Sequence, residues 1–260
     1  MKKKLAFALM LSVALAMTAC GQNETAEAEN NTEAETVLNQ ADTEKSEGVM
    51  TYEEYMAADL ETEVTVETYV QAKQGWWEND GVGMATFYTQ DADGAYFLYN
   101  MPCSQEEYDK LVIGTKIKVT GYKSEWEGEV EIIDSTFEIE EGGFEASAVD
   151  VTDKLGTDDI INYQNRLVSF KDMTVEAAND DGDAFMYNWD GSGSDGDDLY
   201  FNVSVNGETY TFTVESYLTG AGSDVYEAVK ALNVGDTVDL TGFLYWYQGV
   251  NPHITSVTVK

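Results

Sequence analysis

The chain has 260 residues, of which 14 are Lys or Arg and 49 are Asp or Glu, for a formal charge of −35, and 12% are aromatic. Its single arginine is Arg166, its single histidine is His253, and no basic cluster follows the first four residues. A surface that displaces counterions from phosphate is therefore not expected, nor nucleic acid as a partner. One histidine and two cysteines also leave no set for a zinc centre, and no Gly-x-Ser-x-Gly elbow accompanies His253 for nucleophilic catalysis.

Residues 1–20 read as an export signal: Lys2, Lys3 and Lys4, then an uncharged run from Leu5 to Ala19, then Cys20. Met17-Thr18-Ala19-Cys20-Gly21 resembles the lipobox of bacterial lipoproteins. That resemblance implies lipidation of Cys20, a membrane contact made through the lipid, and a place on the extracellular face of the cell membrane. Residues 21–50 are rich in Glu, Asn, Thr and Ala and bury too little to offset the entropy of ordering, so a disordered acidic tether is expected. Lipidation would leave Cys103 unpaired, and a small buried apolar role suits it better than that of a nucleophile.

From Thr51 onward the chain is aromatic-rich and reads as β-structure. Apolar alternation marks strands at Val64 to Ala72, Gly83 to Thr89 and Ala95 to Asn100, with Asp91 to Gly94 as a turn. Ser104-Gln105-Glu106-Glu107 is a capping box that opens a short helix stopped at Gly114. An alternating run through Lys116 to Gly121 and another from Glu129 to Ile139 complete a hairpin.

Sliding the chain by 121 residues superimposes Leu111, Gly114, Thr120, Gly121, Trp126 and Gly128 on Leu232, Gly235, Thr241, Gly242, Tyr247 and Gly249 without a gap. This repeat divides the globular region into domains at 51–150 and 151–260. Three strands, a helix and two strands is the order of the OB-fold, so the expected class is all-β: two tandem OB-fold (five-stranded Greek-key) barrels, each with one short helix between strands three and four. An immunoglobulin-like sandwich would lack that helix. Thr51 to Met56, Tyr88 to Tyr96 and Gly249 to Thr255 carry a further resemblance, to OB-fold lipoproteins of unknown function from gut-type Firmicutes, which implies no activity.

No catalytic set is expected. His253 aligns with Ile132 and suits packing or a hydrogen bond at a barrel end. Glu129 and Glu131 share one face of a strand, taken as the solvated one, although carboxylates are numerous enough that an envelope hydrolase stands as a rival reading. Asp190, Asp195, Asp197 and Asp198 form a weak calcium candidate that lacks the EF-hand pattern, and no other cofactor is expected. The strongest positional signal is aromatic: Trp76 and Trp77 between strands one and two, Trp126 between strands four and five, and Tyr245, Trp246 and Tyr247 in the equivalent second segment. These point to one ligand surface per barrel. The expected function is a non-enzymatic, lipid-anchored envelope module that binds oligosaccharide or peptide, with a subunit of a transport or secreted-enzyme complex as the alternative.

Overall fold

The structure, a computed structural model, describes residues 41–260. The signal segment, Cys20 and the first part of the expected tether lie outside the described residues.

Two closed sheets follow one another. In the first, β1 (Glu63–Lys73), β3 (Val82–Gln90), β4 (Ala95–Pro102), β5 (Thr115–Trp126) and β6 (Glu129–Gly143) pair in the ring β1–β5–β6–β4–β3–β1, and β2 (Trp77–Asn79) hangs on β3 as a short hairpin arm. In the second, β8 (Leu167–Glu176), β10 (Leu199–Val205), β11 (Glu208–Val214), β12 (Thr237–Phe243) and β13 (His253–Val259) pair in the ring β8–β12–β13–β11–β10–β8. A parallel contact between the third and fifth strands closes each ring, Phe97 to Glu131 in one and Thr213 to His253 in the other. Both are OB-fold barrels. The short strands β7 (Val149–Asp150) and β9 (Met186–Tyr187) extend the second sheet at its edges.

The helices sit where the sequence places them. In α2 (Gln105–Lys110) the Glu107 amide donates to Ser104 Oγ at 3.2 Å while Ser104 donates its own amide to the Glu107 carboxylate at 2.8 Å. In α3 (Asp224–Lys230) Ser223 caps alone. Sequence reading missed α1 (Tyr52–Ala57), which opens on a second capping box, Thr51 with Glu54. Tyr52 and Tyr55 carry it against Tyr96 of β4, with ring centroids 5.6 and 5.1 Å apart.

The repeat has a structural reason. Gly121 and Gly242 both lie where the register of the last hairpin shifts, a β-bulge that bends the strand to close the barrel. A Cβ on Gly242 would collide with the His253 carbonyl oxygen, and one on Gly121 would come 2.7 Å from Ile132. Each barrel fills with its own core: Val66, Phe87, Leu98, Ile117, Val119 and Ile132 in the first, Phe170, Val203, Phe212, Tyr226, Leu240 and Ile254 in the second.

Two expectations are corrected here. Residues 41–50 are not free of the barrel: the Asp42 amide donates to Tyr69 Oη at 2.9 Å, and Lys45 reaches the buried carboxylate of Asp91 at 2.6 Å and the Glu67 carbonyl at 3.0 Å. Composition registered the surplus of acids in this segment but not that its single base meets a buried acid. Glu129 and Glu131 do not face solvent, because Gln164, Asn165 and Trp246 of the second barrel cover this end of β6.

An aromatic cleft between the barrels

The barrels meet over a third cluster built from both, in which Tyr88 stacks on Phe243 at 4.5 Å and Phe97 packs beside Tyr245 at 5.4 Å. His253 is buried, stacks on Tyr245 at 4.3 Å and shares a 2.7 Å hydrogen bond with Tyr88 Oη. Burial lowers its pKa to about 3, so it is a neutral partner of Tyr88 at physiological pH. Around this plug, strand-end backbone groups bind across the junction: Gly75 N to the Tyr217 carbonyl at 2.9 Å, Gln248 N to the Glu127 carbonyl at 2.7 Å, and Leu167 N to Gln90 Oε1 at 2.9 Å. Arg166 donates to the Asp93 carbonyl.

Beside the plug lies an open cleft of about 1270 Å³. Trp76, Trp77, Trp126, Tyr245 and Tyr247 all line it, so the aromatic residues expected to form two surfaces form one. The barrels face each other with these loops, and Trp126 packs on Tyr247 at 5.2 Å across the junction. Trp77 and Trp126 keep 44% and 53% of their surface in solvent, whereas Trp76 donates its indole N–H to the Cys103 carbonyl at 3.0 Å and packs on the first core. Trp246 does not line the cleft. It packs against the second core, and its amide donates to Glu129 Oε2 at 2.9 Å. Trp126 also lies at the end of a strand rather than in a loop, since Glu127 and Gly128 alone make the turn, both at positive φ.

Sequence reading missed three further rings of the cleft. Trp189 and Tyr217, the most exposed large rings among the described residues at 74% and 73%, border the cleft from the second barrel, and Tyr99 borders it from the first. Trp189 sits in the long connection between β8 and β10, a stretch outside the repeat window. The C-terminal part of this connection is pinned to α3: Tyr226 Oη accepts from Gly196 N at 2.8 Å and donates to the Asp197 carbonyl at 2.9 Å, and Lys230 pairs with Asp195 at 2.7 Å.

The four calcium candidates are held by different partners. Asp190 accepts from Ser192 N, Asp195 pairs with Lys230, Asp197 accepts from Ser194 N and Asp198 binds Ser216. Among the described residues no group of three or more His, Cys, Asp or Glu is placed to hold a metal ion. Cys103 is free and buried, and burial pushes its thiol up to about 11.

Among the described residues two acids line the cleft, Asp198 and Glu215, and no Lys or Arg does. Burial, then the neighbouring Asp198 charge, pushes the Glu215 carboxyl up to about 7. At the junction, burial alone pushes Glu131 up to about 7 and, with the charge of Glu131 adding to it, holds Glu129 well above the usual carboxylate range.

No protein-family model matches the sequence, and no curated protein matches it. Similar solved structures include a murine DNA-binding protein bound to double-stranded DNA (TM-score 0.36, 10% identity, 75% of this chain and 96% of that one). They also include a replication protein A heterotrimer bound to single-stranded DNA (TM-score 0.35, 8% identity, 82% and 52%) and a deletion mutant of the single-stranded DNA-binding protein from Thermus aquaticus (TM-score 0.24, 13% identity, 76% and 93%). The likeness is one of fold. Two of these structures are described with DNA bound, against the expectation of an envelope-anchored oligosaccharide or peptide binder and the exclusion of nucleic acid as a partner. The exclusion treated total charge as if it sat at the site. Screening confines exposed charges to about 8 Å at physiological salt, and among the described residues two acids line the cleft.

Proposed function

We propose that this chain binds nucleobase-bearing ligands, nucleosides and short single strands, by stacking their bases in the cleft, without turnover. The observation that carries the reading is the set of rings left in solvent on both walls, Trp77, Tyr99 and Trp126 from the first barrel and Trp189, Tyr217 and Tyr247 from the second. Large apolar rings are normally covered. Here they surround a volume large enough for more than one base, and every base offers a flat face worth about 1–3 kcal/mol on an aromatic side chain. The amide side chains of Gln74, Asn100, Asn202 and Asn251 add donors and acceptors that can meet base edges. A strand would enter through its bases and leave its phosphates in solvent, because no basic side chain among the described residues lines the cleft to receive them.

The test is a titration of nucleosides and short single-stranded oligonucleotides followed by tryptophan fluorescence. Saturable quenching that weakens in Trp77→Ala and in Trp189→Ala supports the reading. A spectrum that no base-bearing ligand changes would overturn it.

A further inference from the structure

Glu215 is a buried carboxyl without a cation. It is 8% exposed and lines the cleft, yet among the described residues no Lys or Arg reaches it, and Asp198 lies beside it. Such an arrangement is costly unless hydrogen bonds compensate. Both barrels orient it: Gln74 of the first donates to Oε2 at 3.1 Å, and the Tyr217 amide of the second approaches Oε1 at 3.3 Å. Asp198 is fixed in turn through one oxygen only, Oδ1, which accepts from Ser216 N at 2.8 Å and Ser216 Oγ at 2.6 Å. A carboxylate offers about four lone-pair sites; Gln74 and the Tyr217 amide take one on each oxygen of Glu215, and the Leu218 amide lies within reach of the same carboxylate. In the ionised form, which predominates above pH 7, the remaining capacity is acceptor capacity, in a cleft lined by aromatic rings.

Building on the stacking reading above, we propose that Glu215 is the specificity-determining residue of the cleft and selects bases that present two adjacent N–H donors, as the guanine edge does with its ring N–H and its amino group. Two parallel donors match the two oxygens of one carboxylate. A base that presents a single donor beside a carbonyl leaves one oxygen unmet and sets another acceptor against the acidic pair. Rejecting a ligand that lacks a required donor is what a buried polar group does well, because the group stays unpaired in that complex. Asp198 adds negative potential that favours donors over acceptors at the same edge.

Guanosine and inosine test this, since they differ only in the amino group. Wild-type protein should bind guanosine at least about tenfold more tightly than inosine, and Glu215→Gln, which replaces one acceptor oxygen by a donor, should abolish the preference while inosine still binds. Equal affinity in the wild type overturns the proposal without touching the stacking reading, and that comparison needs no variant to fold. A preference that survives in Glu215→Gln overturns it as well. Failure of both nucleosides to bind removes the stacking reading, and this assignment with it.

Discussion

At the scale of single residues, rings of one chemical type divide into two roles by what lies under them. Trp77 and Trp126 are half in solvent on the cleft wall, whereas Trp246 rests on the second core with its edge against Gly128. Trp77→Ala and Trp126→Ala should each cost about 1–3 kcal/mol of ligand binding and leave the melting temperature nearly unchanged. Trp246→Ala should instead cost about 3–5 kcal/mol of stability, read by denaturant unfolding. Gly242→Ala should destabilise by about 1–3 kcal/mol or more, because its Cβ would meet backbone that closes the barrel and not a movable side chain. The sequence made the glycine pair legible through the repeat, and the tryptophans legible as a set. It could not sort Trp246 from Trp77, since which ring is covered depends on how two separate barrels meet. Trp189 and Tyr217 were illegible for a related reason: they lie outside the repeat window, and only the closed fold brings them to the cleft that Trp77 lines.

At the scale of elements, periodicity gave the strands and the two capped helices between strands three and four, because inward faces alternate and a capping box is a local chemical pattern. It misjudged β6. Alternation places Glu129 and Glu131 opposite Val130, and on an isolated barrel that face would be wet, but the connection before β8 brings Gln164 and Asn165 over it. The consequence is a pH dependence of known sign. Glu131 ionises at about 7 in the folded chain against an ordinary 4.5. The folded state therefore holds the proton more tightly, and the stability contributed is fully present below pH 4.5 and lost as pH rises through about 7. Glu131→Gln should have the wild-type melting temperature near pH 4.5 and exceed it at pH 8, by roughly 2–4 °C for each kcal/mol recovered. His253 titrates in the opposite sense: with its pKa lowered to about 3, its contribution is present above pH 6.5 and lost as pH falls. Comparing variant with wild type at each pH cancels that second effect. A Glu131→Gln protein no more stable than wild type at pH 8 would show that water reaches this end of β6.

At the scale of the whole molecule, the site belongs to neither barrel. The Tyr88, Phe97 and Phe243 cluster and the backbone bonds across the junction hold two OB-folds so that their aromatic ends share one cleft. The chain's charge of −35 then acts as a background field and not as the site's own chemistry. A neutral nucleoside should ignore that field, while the phosphates of a strand should feel it wherever salt does not screen it. The dependence should be the reverse of that shown by proteins that neutralise phosphate with Lys and Arg, whose affinity falls as salt rises. The most direct test of the account is to measure the affinity of a short guanine-containing single strand and of guanosine between about 10 and 300 mM salt, a range over which the screening length shrinks from about 30 Å to below 8 Å. Stacking in an acidic molecule predicts strand affinity that rises with salt and guanosine affinity that stays level. Strand affinity that falls with salt, or no binding of either ligand at any salt, would contradict it.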